Sequence, residues 1–261
     1  MTELSYDEEA TKRLLSVYVT PDVVAQRAQF LRALHPASGE RVLDVGSGPG
    51  FLAMEIGALT GPSGAVSGVD ISHPLLEVAR TQCSELPWIE FHDADATSLP
   101  FTDASFDAVI STQVLEYVRD VDAALAEIHR VVRPSGRVII VDTDWDSIVW
   151  HTSNRERMSR VLVAWKRHAA DPYLPRSLSN KLTRAGFHLE SQQVIPLFNP
   201  GFESNTYSNR VIDLIALFVT GCNEITRDEA EEWAQELRLA GSRGEYFFSL
   251  NRYMFVATPA S

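Results

Sequence analysis

The sequence predicts one α/β domain built around a doubly wound parallel sheet. Its 261 residues are 45% hydrophobic, which is enough for one sizeable core. Short apolar runs, typical of buried strands, alternate along the chain with segments of helical periodicity. The first of these runs ends in three glycines at alternate positions, a pattern that indicates a strand turning tightly into a helix.

The three glycines belong to a ten-residue motif, RVLDVGSGPG, at residues 41–50. Gly46, Gly48 and Gly50 lack a Cβ atom, so the turn can adopt positive φ and a ligand can lie directly on the backbone. A helix predicted over residues 51–59 then offers free N–H groups to polar or anionic ligand atoms. Asp44 stands two residues before the first glycine, and the spacing differs from the G-x-G-x-x-G of dinucleotide loops.

With the acid in front of it, this loop resembles the nucleotide loop of the class I S-adenosylmethionine (SAM)-dependent methyltransferases. A nicotinamide or flavin nucleotide is the alternative ligand for a glycine-rich loop. The resemblance covers about residues 20–145, and it includes Leu-Pro-Phe at 99–101 and Arg-Pro-Ser-Gly at 133–136. These features are similar to the ubiquinone/menaquinone-type, small-molecule branch. The resemblance implies SAM as cofactor and a Rossmann-like sheet of seven strands, the last of them antiparallel.

The other elements follow from the hydrophobic pattern. Further strands are predicted over residues 65–69, 88–92, 106–111, 137–141, 187–195 and 246–258. Helices are predicted over residues 74–85, 122–133, 154–170, 177–185, 209–219 and from a capping box at Thr226 to Gly241.

We interpret the whole chain, residues 1–261, as one domain with three parts. Residues 1–35 form a helical N-terminal arm, 36–145 the SAM-binding core and 146–261 the substrate-side half, with a helical insertion at about 199–243. The arm either packs on the sheet edge or covers the cofactor as a lid. The insertion packs on itself, covers the substrate, or does both.

Cofactor contacts are predicted at the carboxyl ends of the strands. Asp70, at the end of the second strand, suits the ribose hydroxyls, although it could instead cap the next helix, a role open also to Ser72. By resemblance, Asp95 would accept from the adenine amine, with Asp93 as the alternative register, and Arg27 would pair with the methionyl carboxylate. The full predicted set is Arg27, Asp44, Gly46, Ser47, Gly48, Gly50, Asp70, Ile71, Asp95, Ala96, Gln113 and Val114.

Methyl transfer from SAM needs above all that the acceptor, the methyl group and the sulfur are held in line and away from water. A base is required only for an acceptor that is a poor nucleophile at neutral pH. His151 is the first candidate base and His168 the second, although a lone histidine is more often structural. Many relatives carry histidine where this chain has Tyr117. The predicted substrate contacts are Tyr18, Tyr117, Asp144, Trp145, Phe198 and Tyr207. The alternative is plain packing for Tyr117 and a solvated loop acid for Asp144.

Asp142, Asp144 and Asp146 suggest a metal site at first sight. Acids at alternate positions of an extended stretch point the same way, but no further oxygen ligands are evident nearby. We therefore predict no metal, and prefer substrate contact for this segment. An arsenite methyltransferase is disfavoured as well, because only Cys83 and Cys222 are available to bind arsenic.

Composition argues against several classes of partner. The net charge of −12 and the lack of a basic patch disfavour nucleic acid. No apolar run approaches the ~20 residues that span a bilayer, so we expect no membrane. The acidic residues 1–10 do not resemble a secretory signal, and two cysteines fit a reducing cytoplasm. We expect a cytoplasmic monomer or homodimer.

The sequence therefore favours a SAM-dependent methyltransferase of small-molecule biosynthesis. Its acceptor would be an apolar or aromatic metabolite, methylated at carbon, oxygen or nitrogen. Two alternatives stay open: an enzyme of the same fold that uses SAM for non-methylating chemistry, and a SAM-binding protein without catalysis. A nicotinamide oxidoreductase is the weakest alternative, because the loop spacing is wrong for it.

Overall fold

The computed structural model describes residues 8–260, and their side chains from residue 12 onward. Residues 1–7 of the predicted N-terminal arm, and Ser261, lie outside the described residues. The described strands are β1 Arg41–Val45, β2 Ala65–Asp70, β3 Ile89–Asp93, β4 Phe106–Thr112, β5 Val132–Trp150, β6 Phe187–Asn199 and β7 Phe248–Pro259.

These strands form one sheet in the order β3-β2-β1-β4-β5-β7-β6. Strands β1 to β5 pair in parallel, and β7 pairs antiparallel with both of its neighbours, β5 and β6. This arrangement confirms the predicted Rossmann-like sheet with an antiparallel last strand. Val45 pairs with Val69 on β2 and with Ser111 on β4, so three loops open at the same carboxyl edge. That edge is where doubly wound sheets bind their ligands.

Helices cover both faces of the sheet and its carboxyl edge. They are α1 Glu8–Tyr18, α2 Pro21–Leu34, α3 Phe51–Thr60, α4 His73–Gln82, α5 Val121–Val131, α6 Arg155–Trp165, α7 Pro175–Arg184, α8 Tyr207–Val219 and α9 Arg227–Ser242. Two short 3₁₀ turns, Leu115–Tyr117 and Lys166–His168, complete the set.

Element boundaries differ from the prediction mainly around β5. The strand predicted over residues 137–141 begins at Val132, where β4 pairs with it, and it continues to Trp150 opposite Phe248 of β7. The helix predicted over 122–133 consequently ends at Val131. Pairing with β7 also extends β6 to Asn199. Strand pairing between distant segments, which local periodicity does not encode, sets these limits.

The insertion between β6 and β7 has a core that it shares with α6 and the end of β5. Trp150, Trp165, Trp233 and Phe248 are buried there among aliphatic side chains. The Thr226 hydroxyl accepts the N–H of Glu229 at 3.1 Å, as predicted for the start of α9. Within residues 8–260, no helix combines the length and the apolar character that crossing a membrane requires.

Candidate functional site

A cavity of about 580 Å³ opens at the carboxyl edge of the sheet. Its volume lies within the ~300–1,000 Å³ typical of small-molecule sites. One end is lined by the glycine loop and the ends of β2 and β4, and the other by side chains of α1, α8, β5, β7 and the second 3₁₀ turn. We call these the loop end and the aromatic end. Most of the sequence-predicted cofactor residues lie at the loop end.

The glycine loop has the geometry that the motif predicts. Gly46, Gly48 and Gly50 have φ values of 72°, 51° and 83°. A Cβ atom added to Gly46 would lie 2.1 Å from a methyl carbon of Val114, so only glycine fits there. The N–H groups of Gly46 and Ser47 donate to the carbonyl of Val69, which fixes the loop against the end of β2. Gly50 is the N-cap residue of α3, and no side chain caps this end of the helix.

Asp70 ties the glycine loop to the start of α4. Its Oδ2 accepts the N–H of Gly48 at 2.8 Å, and its Oδ1 accepts the N–H of Ser72 at 2.8 Å. Burial raises the pKa of Asp70, although both hydrogen bonds oppose that rise. Ser72 is the N-cap residue of α4 but makes no side-chain cap hydrogen bond. A carboxylate offers about four acceptor positions, so Asp70 retains capacity for a ligand hydroxyl.

Asp44 is a buried carboxyl at the floor of the loop end. Neither of its oxygens has a hydrogen-bond partner in the described part of the chain. Burial, and then the nearby charge of Asp70, raise the pKa of Asp44 to about 7. A cationic ligand group beside it would stabilise the ionised form, so this position fits a cation.

Three predicted residues form the outer wall of the loop end. Ile71, 72% exposed, lines the cavity together with Asp95 and Ala96. Asp95 Oδ1 accepts the N–H and the hydroxyl of Thr97 at 2.8 and 2.7 Å, which fixes the carboxylate at the rim. Asp93, the alternative register, does not line the cavity.

Gln113 and Val114 connect the two ends of the cavity. Gln113 has a positive φ of 60°, and its Oε1 accepts the hydroxyl of Thr143 at 2.7 Å. Its Nε2 has no partner among the described residues. Val114 contacts the glycine loop as described above, and both residues line the cavity.

The N-terminal arm closes over the glycine loop. Tyr18 stacks on Phe51 with ring centroids 6.0 Å apart, and both line the cavity. Arg27 also lines it, but Glu55 already accepts from its Nε and Nη2 at 3.1 and 3.0 Å, and its Nη1 donates to the Tyr18 carbonyl. The Nε and Nη2 groups of Arg27, which would bind a carboxylate through two hydrogen bonds, are therefore already bound to Glu55. This arrangement differs from the predicted pairing of Arg27 with the methionyl carboxylate.

Two tryptophans, His168 and Tyr207 form the aromatic end. His168 stacks on Trp165 at a centroid distance of 3.9 Å and meets the edge of Trp145 at 4.6 Å. Its Nδ1 lies 2.5 Å from the Trp165 carbonyl oxygen, which can only accept, so Nδ1 carries the proton and Nε2 the lone pair. Burial lowers the pKa of His168 to about 4, so the ring is neutral at neutral pH.

Tyr117 and Tyr207 line the aromatic end as predicted, whereas three other predicted residues are not at the cavity. His151 is exposed after the end of β5, and its backbone N–H donates to Phe247. Asp144 is held by Arg176 in a bidentate pair at 2.9 Å and 2.9 Å. Phe198, the next-to-last residue of the edge strand β6, is 54% exposed. In each case the side chain points away from the cavity, so the structure does not support these contacts.

Two functional side chains were missed by the sequence reasoning. Glu116 is fully buried, accepts the N–H of Thr143 at 2.6 Å and the indole N–H of Trp145 at 3.2 Å, and so orients that ring. Arg252 is 7% exposed and lines the cavity from β7. The alternation of residues along β7 predicts that Arg252 lies on the buried face of the strand, because Leu250 and Met254 lie on that same face.

Burial raises the pKa of Glu116 to about 7, and burial together with the charge of Glu116 raises the pKa of Asp142 well above its ordinary range. Asp142 Oδ1 accepts the N–H groups of Val114 and Glu116 at 3.1 and 3.3 Å. Asp146 pairs with Lys166 and Arg176. Asp144 and Asp146 thus share Arg176, whereas Asp142 binds backbone N–H groups, and the described side chains, residues 12–260, contain no group of three or more His, Cys, Asp or Glu placed to hold a metal.

Comparison with known proteins relates this chain to a protein family and to solved structures. A model of the family described as "Methyltransferase domain" matches residues 43–140. The ubiquinone/menaquinone biosynthesis C-methyltransferase UbiE of Pseudomonas putida F1 is 31% identical over 191 residues, 69% of this chain and 72% of that protein.

An uncharacterised 37.1 kDa protein in a transposon of Streptomyces fradiae is 35% identical over 176 residues, 66% of this chain. The chain spans only about half, 49%, of that relative's length. Among solved structures, phosphoethanolamine N-methyltransferase 2 of Haemonchus contortus, bound to S-adenosylhomocysteine, has a TM-score of 0.65 at 20% identity. That match covers 98% of this chain and 58% of the other, and shows a shared fold.

Proposed function

The chain belongs to the class I SAM-dependent methyltransferases of the ubiquinone/menaquinone type, and from this premise we propose that it methylates a small apolar or aromatic acceptor. SAM is the cofactor of this family. When bound, it supplies a methyl group already activated by a sulfonium. The observation that carries the proposal is that one cavity joins the glycine loop to the aromatic end. Cofactor and acceptor would then meet in a single enclosed space.

The residues at the loop end fit this cofactor. Asp44 is a buried carboxyl with two unpartnered oxygens within the described chain, and it suits a cationic ligand group. Asp70 has spare acceptor capacity for ribose hydroxyls while it holds the Gly48 N–H. Asp95 binds Thr97 through Oδ1 alone, so its Oδ2 could accept from an adenine amine. Gly46, Ser47, Gly48, Ile71, Ala96, Gln113 and Val114 complete the proposed binding surface. Gly50, also predicted as a cofactor contact, does not line the cavity and shapes the loop through its positive φ of 83°.

The aromatic end would bind and orient the acceptor. Trp145, Trp165 and Tyr207 present ring surfaces, and the Glu116 hydrogen bond fixes the indole of Trp145. Such rings exclude water and attract a neighbouring cation through their faces. Holding the reacting atoms in line in this dry space supplies most of the acceleration that methyl transfer needs.

His168 is the general base that we propose for acceptors with a proton to lose. Its neutral ring has a lone pair on Nε2, which has no partner among the described residues. Its lowered pKa makes it a weak base, so it suits an acidic hydroxyl or carbon acid better than an aliphatic alcohol. An acceptor that is already nucleophilic would need only the positioning described above.

The remaining expectations concern surroundings and partners. The net charge of −12 supports a small-molecule acceptor rather than nucleic acid. Cys83 and Cys222 are both free thiols, which supports a reducing compartment such as the cytoplasm. We further propose a monomer or a homodimer.

The first test is calorimetric binding of SAM, S-adenosylhomocysteine and NAD to the wild type and to Asp70→Asn. We expect micromolar binding of the two SAM-type ligands, about a tenfold or greater loss in Asp70→Asn because a ribose acceptor is removed, and no NAD binding. Asp93→Asn is the matched control. Asp93 pairs with Asp70 across β2 and β3 but does not line the cavity, so its removal should leave affinity unchanged.

Turnover is tested with labelled SAM and a broad panel of aromatic and apolar acceptors. Formation of S-adenosylhomocysteine together with a methylated acceptor supports the proposal. Tight SAM binding without that product across the panel would favour the two alternatives, non-methylating chemistry or a protein without catalysis. Tight NAD binding, or no SAM binding by folded protein, would contradict the cofactor assignment.

A further inference from the structure

Arg252 places a cation in the part of the cavity wall that β7 contributes. It lies on β7 between Leu250 and Met254, which are both buried on the same face. Its side chain lines the cavity, and its guanidinium carbon lies 5.3 Å from the ring centroid of Tyr207. A strand position with this pattern ordinarily carries an apolar residue, so a charge here calls for an explanation.

No carboxylate among the described side chains, residues 12–260, forms an ion pair with Arg252 at 4.0 Å or less. The neutral side-chain amide of Gln26 accepts from its Nη1 at 2.5 Å, and Nε has no partner among the described residues. The acid whose charge acts on it is Glu116, which is engaged instead with Thr143 and Trp145. A buried guanidinium is ordinarily paired, because an isolated charge is costly to remove from water.

The position of Arg252 assigns it to the acceptor rather than to the cofactor. In the sheet order, β7 lies three strands from β1, whose end carries the glycine loop. At ~4.8 Å between neighbouring strands, this separation is roughly 14 Å. Arg27, in contrast, lies over Phe51 directly beside the glycine loop. Arg252 is also directly opposite Thr143, which holds Gln113, so its side chain lies where the two ends of the cavity meet.

From these observations we propose that the acceptor carries a carboxylate, and that Arg252 binds it. This inference rests on the proposed function, since it names the acceptor class of that same site. One guanidinium matches one negative charge, and its planar fork fits the two oxygens of a carboxylate. The rings of Trp145, Trp165 and Tyr207 would contact the rest of the molecule, which makes the acceptor an aromatic or apolar acid.

The test uses matched ligand pairs on protein saturated with S-adenosylhomocysteine. The probes are 4-hydroxybenzoate, 2-naphthoate and 1-hydroxy-2-naphthoate, each compared by calorimetry with its own carboxamide. We expect at least one carboxylate to bind the wild type about tenfold or more tightly than its amide, because a charge-assisted pair replaces a neutral contact. Arg252→Lys should retain part of this preference, whereas Arg252→Met should reduce it to about twofold or less.

Arg27→Met is the control, since Arg27 lines the same cavity but is already paired with Glu55. It should leave the carboxylate preference in place, because Glu55 already occupies the guanidinium of Arg27. Melting temperatures establish that each variant is folded. If Arg252→Met does not fold, the comparison of wild type with Arg252→Lys tests the proposal instead.

Four results would overturn the proposal. Three concern the carboxylates: none binds, wild type shows no preference over the amides, or the preference persists in Arg252→Met. The fourth is tighter binding of phenyl phosphate than of any carboxylate. If the protein fails to bind S-adenosylhomocysteine, the proposed function fails instead. The same titrations are then run without that ligand, where the expectation for Arg252 is unchanged.

Discussion

The two ends of the cavity are built in different ways. The loop end uses backbone N–H groups and the carboxylates of Asp44 and Asp70 at the carboxyl ends of β1 and β2, with its wall completed after β3 and β4. The aromatic end uses side chains that lie far apart in sequence, among them Trp145, His168, Tyr207 and Arg252. The first is specified by local backbone conformation, and the second only by how α6, α8 and β7 pack together. Substitutions can test whether this difference is real.

The largest effect is expected for Gly46→Ala at the loop end. Gly46 has φ of 72°, and an added Cβ would collide with Val114 at 2.1 Å. Left-handed strain and overpacking together should cost about 2–4 kcal/mol of unfolding free energy, and should abolish measurable SAM binding. Urea denaturation and calorimetry measure the two effects.

Gly244→Ala is the matched control for this substitution. Gly244 has nearly the same φ, 70°, but no atom lies within 4 Å of an added Cβ. Only the backbone strain remains, so we expect a loss of about 1 kcal/mol and unchanged SAM binding. Equal losses in the two variants would show that contact with Val114 does not hold the loop, and the contrast between the two ends would weaken.

The next effect concerns pH and His168 at the aromatic end. The folded-state pKa is about 4, below the ordinary value of 6.5, so the unfolded chain binds the proton more tightly. The stabilisation by the neutral ring is complete above pH 6.5 and is lost as pH falls towards 4. We expect wild type to lose about 2–3 kcal/mol of unfolding free energy relative to His168→Gln between pH 7 and pH 4.5.

Denaturant unfolding of both proteins at the two pH values measures this difference. The raised pKa values of Asp44 and Glu116 act in the opposite direction, but they are present in both proteins and cancel in the comparison. A difference that does not change with pH would mean that His168 is more hydrated than its contacts with Trp165 and Trp145 indicate.

The smallest effect is expected for Phe198→Ser, outside both ends. Phe198 is 54% exposed and contacts Phe247 with ring centroids 5.5 Å apart. We expect a loss of about 0.5–1 kcal/mol in unfolding free energy and no change in affinity for S-adenosylhomocysteine or aromatic carboxylates. A change in carboxylate affinity would show that the aromatic end extends further along β6 than the cavity does.

The same contrast explains what the sequence could predict. The motif from Asp44 to Gly50, and Asp70 at the end of the next strand, carry local signals, because turn geometry and strand ends depend on neighbouring residues. The seven-stranded sheet with an antiparallel last strand followed from the resemblance and was confirmed by the strand pairing.

The aromatic end carried weaker signals. His151, Asp144 and Phe198 were chosen for their residue type near the edge of the sheet, but strand alternation and the Arg176 pair direct them elsewhere. Glu116 resembles an ordinary surface acid in sequence, and it is buried only because β5 and the 3₁₀ turn close around it. Such burial depends on contacts between segments distant in sequence, which periodicity does not report.

Helix α2 touches both ends of the cavity through two consecutive residues. Gln26 binds Arg252 and the carbonyl of Ile195, while Arg27 binds Glu55 and stands over Phe51. A small rotation of this helix therefore alters both contacts at once. Thermodynamic linkage then requires that any such coupling be reciprocal: an acceptor that shifts α2 changes cofactor affinity by the same factor as the cofactor changes acceptor affinity. One turn of helix is thus the structural element through which the two binding equilibria would be coupled.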